Sequence, residues 1–381
     1  MLSQPQRVAI RREFHQHPEL ALEEVETKQR IQKIIAGFNQ QYLSFKHLDA
    51  LPTALLVRVE GSNPKRTIGY RADMDALPVV EQTGLEFASK NAGKMHACGH
   101  DIHLTVALSI LSYYADNQPT DNLIFFFQPA EESENGGKIA YELGAFEGQW
   151  RPDEFYGLHD NPDLKAGAIG CCQGTLFAGT TEVDIELKGK GGHAAFPHTA
   201  NDMVVASAYL ITQLQTIVSR NINPLESGVL TLGKIQSGTI RNVIADKAVI
   251  QGTVRGLTQT MIEAINERIK TICEFTAKSF NADVQVTLNQ GGYLPVENDD
   301  KLTAQFIEFM STHQDVNFVE TTPAMTGEDF GYLLSKIPGT MFWLGVEDTH
   351  PLHSEYFSPS EEALKTAPET IVAFLNWRMS R

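Results

Sequence analysis

The stretch LIFFFQPAEE, Leu123 to Glu132, sets the fold class. Leu123 to Phe127 is apolar without alternation, which fits a strand covered on both faces rather than one half-open to water. Two acids, Glu131 and Glu132, follow after a Pro-Ala break. On the N-terminal side, Thr53 to Glu60 and Thr67 to Arg71 read as strands and Leu104 to Ala115 as an apolar helix. On the C-terminal side, Gly136 to Leu143 reads as a short helix and Phe155 to Leu158 as another buried strand, with His159 directly after it. Helical spacing over Arg7 to Gln16 and Glu23 to Phe38, split by His17-Pro18, completes the pattern. Strands and helices alternating in this way predict an α/β sheet with functional groups at strand ends and loops.

A different unit begins near Thr180. Thr181 to Lys188 alternates, with Val183, Ile185 and Leu187 on one face, the pattern of a half-exposed strand. Helix Asp202 to Ser219, strand Gly228 to Ile235, strand Val243 to Val254, helix Thr258 to Phe280 and strand Ala282 to Leu288 follow. The order βαββαβ is ferredoxin-like. It predicts an inserted domain over 179–290 between two parts of an α/β domain, 1–178 and 291–381. After Gly292 the α/β pattern resumes, with helices near Lys301 to Met310 and Glu328 to Leu334 and a strand at Met341 to Leu344. Ser358 and Pro359 predict the start of a terminal helix that Pro368 interrupts.

With 31 Lys and Arg against 47 Asp and Glu, the chain carries a formal charge of -16. No basic excess is available to neutralise phosphates, which argues against nucleic acid as the main partner. No run of about 18 apolar residues is present to span a membrane. The N-terminal residues lack the apolar core of a signal peptide, and four cysteines do not make a disulfide framework. The expected location is the cytoplasm.

Chemistry-bearing residues gather in RADMDALP (Arg71 to Pro78), MHACGHD (Met95 to Asp101), QPAEE (Gln128 to Glu132), GLHDNP (Gly157 to Pro162) and PLHSE around His353. Thiolate, imidazole and carboxylate together form a metal-binding inventory. Taken alone, Cys-Gly-His reads equally well as a buried thiol beside a surface imidazole, and the Glu pair reads better as a solvated turn. Both Glu131-Glu132 and His159, however, close strands that should be fully buried. A charged group there needs a partner, because leaving it unpaired away from water is costly.

These motifs, with GKGGHAAFP (Gly189 to Pro197) and the C-terminal His, resemble the aminoacylase and carboxypeptidase metallopeptidase family over the whole chain. The resemblance is to the branch of N-acyl-amino-acid and auxin-conjugate amidohydrolases. It implies a metallopeptidase-type α/β catalytic domain whose ferredoxin-like insert serves as lid and dimerisation domain. It also implies two divalent metal ions held by Cys98, His100, Glu132, His159 and His353, with Cys98 bridging. Thiolate suits zinc, with manganese, cobalt or nickel as alternatives. Glu131 takes the part of general base, and Asp73 orients a ligand histidine. His193 stabilises the oxyanion, reaching a partner subunit's site in a homodimer, while Asn242 and Arg255 grip the substrate carboxylate. Gly189 to Ala194 also fits the dinucleotide pattern GxGxxA, but no acid follows at the required distance and no βαβ unit opens there.

QPAEESENGGKIAYELGAF, LHDNPDLKAGAIG and MTGEDFGYLL narrow the implied substrate to N-acetyl-LL-2,6-diaminopimelate, cleaved to LL-2,6-diaminopimelate and acetate on the route to lysine. A general N-acyl-amino-acid hydrolase is the alternative. A non-catalytic metal- or ligand-binding relative is the alternative from another class, although such a binder has no use for Glu131.

Overall fold

The phenylalanine run lies inside a mixed eight-stranded sheet and is buried from Leu123 to Gln128. The computed structural model describes residues 1–381. They form two units: Met1–Leu176 with Val296–Thr322 and Tyr332–Arg381, and Phe177–Pro295 with Pro323–Gly331. In the first unit, helices α1 (Gln4–Gln16) and α2 (Val25–Ala36) precede strands β1 (Leu43–Leu48), β2 (Leu51–Val59) and β3 (Thr67–Asp73), and helix α3 (His100–Asp116) leads into β4 (Asn122–Gln128) and β5 (Glu154–Asn161). The strand order is β1-β2-β4-β3-β5, continued by Gly339–Gly345, Ile169–Cys171 and Phe318–Glu320.

β3 pairs in parallel with both β4 and β5, and β5 in parallel with Gly339–Gly345. Parallel neighbours end on the same side of a sheet. The register sets Asp73 opposite Gln128, so Asp73, the turn after Gln128, and His159 on β5 come to one edge. α3 brings Cys98-Gly99-His100 to that edge. The helix is buried along nearly its whole length, as an apolar-all-round helix must be.

The second unit is a four-stranded antiparallel sheet ordered Gly228–Ser237, Lys247–Gly256, Gly179–Lys188, Asp283–Asn289. Val183, Ile185 and Leu187 pack with Leu210 of helix Met203–Leu214 and with Ile265 and Ile269 of helix Gln259–Ser279 in one core. Alternation along Gly179–Lys188 therefore reports a sheet with one face under helices.

Three local expectations are corrected. The strand expected over Val243 to Val254 is two: Val243–Ile244 pairs with Gly192–His193, and Lys247–Gly256 joins the main sheet. Between them the Ala245 and Asp246 carbonyls accept from Met203 and Gly189, which takes them out of the ladder. The terminal helix starts later than Ser358, at Ala363. The Ser358 N–H is committed to the Asp348 carboxylate, and the Ser360 N–H to the Val346 carbonyl. Pro368 does not interrupt this helix, which runs through it to Met379. A proline leaves the carbonyl four residues earlier without its helical donor, and here Arg7 Nη1 donates to that carbonyl, of Leu364, at 2.9 Å.

Candidate metal centre

Four of the five donors at the edge of the first sheet, all but His159, sit in or beside a left-handed piece of main chain. Gly99, between Cys98 and His100, has φ +85°, and a Cβ there would collide with the Asp160 carboxylate. Ala130, just before Glu131-Glu132, has φ +59°, and His353 itself φ +68°. Left-handed backbone costs a non-glycine residue about 1–2 kcal/mol, so the surroundings must hold it. The Ala130 N–H donates to Glu24 Oε1 at 2.8 Å, and the His353 N–H to the Ala97 carbonyl at 2.8 Å.

The donors converge. Cys98, His100 and His159 offer ligand atoms within 4.8 Å of one another, and so do Cys98, Glu132 and His353. Cys98 is common to both sets. Its Sγ lies 3.4 Å from His159 Nε2, while Glu132 Oε1 lies 3.8 Å from His100 Nε2 and 3.6 Å from His353 Nε2. His100 Nδ1 lies 2.9 Å from the Asp75 carbonyl, and His159 Nδ1 3.0 Å from the Asp160 carbonyl. Carbonyls only accept, so both Nδ1 atoms carry protons and both Nε2 atoms face the cluster. Glu131 is buried beside them, its Oε2 3.9 Å from His100 Nε2.

Asp73 accepts from Arg71 Nη1 at 2.6 Å and from His103 Nδ1 at 2.5 Å. It lies 3.6 Å from His100 Nε2. Its own burial opposes ionisation, but Arg71, His100 and His103 outweigh this and hold it well below the usual carboxylate range. The hydrogen bond that orients His100 comes instead from the Asp75 main chain.

The cluster is built for cations. His100 Nε2 and Glu132 Oε1 are buried atoms with no hydrogen-bond partner, an expensive state unless something else pairs with them. Burial alone would lower His100, yet Asp73, Asp75 and Glu132 draw it up to about 10. Burial, then Glu132, Glu131 and Asp73, push the Cys98 thiol well up. Both shifts report uncompensated negative charge, which a divalent ion would reverse. Two donor sets sharing one thiolate fit a buried two-metal centre.

The sequence pattern of peptidase family M20/M25/M40 matches residues 69–377. The chain belongs to this family. It is 64% identical over 379 residues to the N-acetyldiaminopimelate deacetylase of Limosilactobacillus reuteri (strain DSM 20016), covering 100% of both chains. It is 63% identical over 374 residues to that of Pediococcus pentosaceus, covering 98% of this chain and 97% of the relative. The crystal structure of the Bacillus subtilis YXEP protein, a dinuclear metal binding peptidase from the M20 family, superposes with a TM-score of 0.86. That pair is 30% identical, with 99% of this chain and 98% of the other covered.

The remaining expected residues of this M20 chain lie in the second unit. His193 is exposed, on the short ladder with Val243, and its Nδ1 accepts from the Ala195 N–H at 3.1 Å. It lines a cavity of about 440 Å3 with Gly191, Thr239, Asp246 and Lys247. Asn242 is exposed, and its carbonyl accepts from the Ala194 N–H at 3.1 Å. Arg255 is half-buried and donates from Nη1 to the Met325 carbonyl at 3.3 Å.

Four residues of the first unit enter the picture only with the structure: Glu24, Asp75, His103 and Asp160. His103 stands one helical turn after His100, a spacing that would have marked it. Asp75 lies in RADMDALP, two residues after Asp73 and just past the end of β3. Glu24 and Asp160 carry no local signal.

Proposed function

We propose that this chain hydrolyses the acetyl amide of N-acetyl-LL-2,6-diaminopimelate, releasing acetate and LL-2,6-diaminopimelate on the route to lysine. The observation that carries this reading is end-to-end identity above 60% with N-acetyldiaminopimelate deacetylases, in a chain that keeps both Glu131 and a complete donor set.

Cys98, His100, Glu132, His159 and His353 would hold two divalent ions, Cys98 belonging to both donor sets; its soft thiolate favours zinc over manganese, cobalt or nickel. Bound there, the ions supply Lewis acidity and a water whose pKa falls toward ~7. Glu131 takes a proton from the attacking water and returns it to the leaving amine. Its place at the mouth of a buried strand keeps bulk water away from that transfer. Asp73 acts on the imidazoles through His103 and its charge beside His100. His193 donates to the developing oxyanion, and Asn242 and Arg255 pair with the substrate carboxylate.

The second unit reads as a ferredoxin-like lid and dimerisation domain, with domain limits near 179 and 290. Val204, Val205 and Tyr209 on helix Met203–Leu214, and Ile235 on the edge strand, are exposed apolar residues suited to a second copy of the chain. His193 then completes the partner's site. No helix is long and apolar enough to cross a membrane, and all four cysteines are free and buried. These features support a cytoplasmic location.

The test is acetate release by the purified protein across a panel of N-acetyl amino acids, before and after chelation and zinc return. Release from N-acetyl-diaminopimelate, lost on chelation and restored by zinc, supports the proposal. Equal turnover of unrelated N-acetyl amino acids moves the assignment to a general N-acyl-amino-acid hydrolase.

A further inference from the structure

Three consecutive main-chain N–H groups point at two buried carboxylates. That of Ala130 donates to Glu24 Oε1 at 2.8 Å, that of Glu131 to Asp75 Oδ1 at 3.0 Å and that of Glu132 to Asp75 Oδ2 at 2.9 Å. With Ala130 in the left-handed region, successive amides converge into a concavity of the kind that ordinarily receives an anion. Here the chain fills it with its own side chains. Asp75 also acts from its main chain, where its carbonyl faces His100 Nδ1 at 2.9 Å, with Oδ1 at 3.5 Å. Asp75 and Glu24 are almost wholly enclosed, so these amides are not sharing them with bulk water.

We infer that Asp75, seconded by Glu24, is the positioning residue that sets Glu131, Glu132 and His100 at their working angles. The inference rests on the reading of Glu131 as base and of Glu132 and His100 as metal ligands. Two adjacent glutamates can serve different atoms only if their side chains leave the main chain in fixed, divergent directions. Those directions follow from the two peptide planes, and each plane is pinned by one oxygen of the same carboxylate. The third group, His100, needs its proton on Nδ1 to offer Nε2, and the Asp75 carbonyl enforces that tautomer. A shift of the β3-to-α3 connection at Asp75 therefore misplaces base and ligands together.

The experiment compares full-length Asp75→Ala, Asp75→Asn and Glu24→Gln with the parent. It measures zinc affinity by chelator competition, kcat and KM, and melting temperature. Asp75→Ala is expected to weaken zinc binding 10- to 100-fold and to lower kcat at least ~10-fold, with KM within ~3-fold. Asp75→Asn keeps one accepting oxygen and should fall between the two. Glu24→Gln keeps the acceptor for Ala130 and should stay within ~3-fold of the parent on every measure. If Asp75→Ala does not fold, Asp75→Asn and Glu24→Ala carry the same ordering. A folded Asp75 variant with parental zinc affinity and kcat overturns the inference. Glu131→Gln and His100→Ala are measured alongside. If Glu131→Gln keeps its activity and His100→Ala its zinc, the reading of the site is wrong; if Glu131→Gln loses activity and His100→Ala loses zinc while the Asp75 variants lose neither, only the positioning role fails.

Discussion

The two units carry their functional residues in opposite ways. At the sheet edge of the first, Cys98, His100 and His159 are buried, Glu132 is half-buried and His353 is exposed. Gly99 fits against Asp160, the Glu131-Glu132 turn is pinned by Asp75, and His100 and His159 each have one ring nitrogen committed to a carbonyl. In the second, His193 is exposed on a two-residue ladder beside an open cavity, and Asn242 is exposed just before that ladder's second strand. A cluster that must receive divalent ions has to be rigid beforehand, since misplaced donors lose affinity. A group that meets substrate or a second chain can take its final position from that encounter. The buried set should therefore fail sharply on substitution, and the exposed set should fail conditionally.

The sharpest failure is expected at Glu131. If Glu131 is the base and not a ligand, as proposed, Glu131→Gln should lower kcat by about 100- to 10,000-fold with bound zinc per chain nearly unchanged, because a general base contributes on that scale. Metal analysis beside steady-state kinetics checks it, and near-normal turnover by the metal-loaded variant would sink the assignment.

Cys98 should behave as a ligand thiolate. Cys98→Ala is expected to cost about 10- to 100-fold in metal affinity, and bound zinc should shield Cys98 from alkylation. Equal alkylation rates in the chelated and zinc-loaded protein would mean that the thiol lies outside the coordination set. Gly99→Ala should be felt as stability and metal loss together, by about 1–2 kcal/mol from backbone strain alone. A melting temperature and zinc affinity equal to the parent's would show that the Cys98-Gly99-His100 turn is less constrained than its contacts imply.

The smallest effect expected is a partial recovery. Glu131→Gln and His193→Ala subunits, each inactive alone, should regain roughly a quarter of parental activity after random mixing, because each mixed dimer holds one site with both groups intact. No recovery despite demonstrated subunit exchange would place His193 in its own chain's site or outside catalysis.

What was legible in the sequence was whatever local pattern encodes. The unbroken apolar run before Glu131-Glu132 and the alternation of Thr181 to Lys188 report how many faces of a strand are covered, and the structure has both as read. Glu132 and His159 stood out because charged groups closing buried strands need partners, whereas Cys98, His100 and His353 entered as ligands only through the resemblance to the metallopeptidase family. Partners far along the chain left no such trace. Pro368 reads as a helix break until Arg7, 361 residues earlier, supplies the donor its turn lacks. Ser358 reads as a cap until Asp348 claims its N–H. Asp75 and Glu24 bond to main-chain amides 55 or more residues away, and main-chain amides have no sequence signature.

The central claim is the substrate, and the most direct measurement of it is the ratio of kcat/KM for N-acetyl-diaminopimelate to that for N-acetyl-norleucine. The second compound keeps the scissile amide and the chain but lacks the distal amino-acid head. A site that pairs both charges of that head can reject an analogue without them by up to about 10,000-fold, whereas an apolar pocket separates neighbours by about 10- to 200-fold. The predicted ratio is at least ~100. A ratio near one would contradict dedicated diaminopimelate chemistry while leaving the metal centre and Glu131 in place.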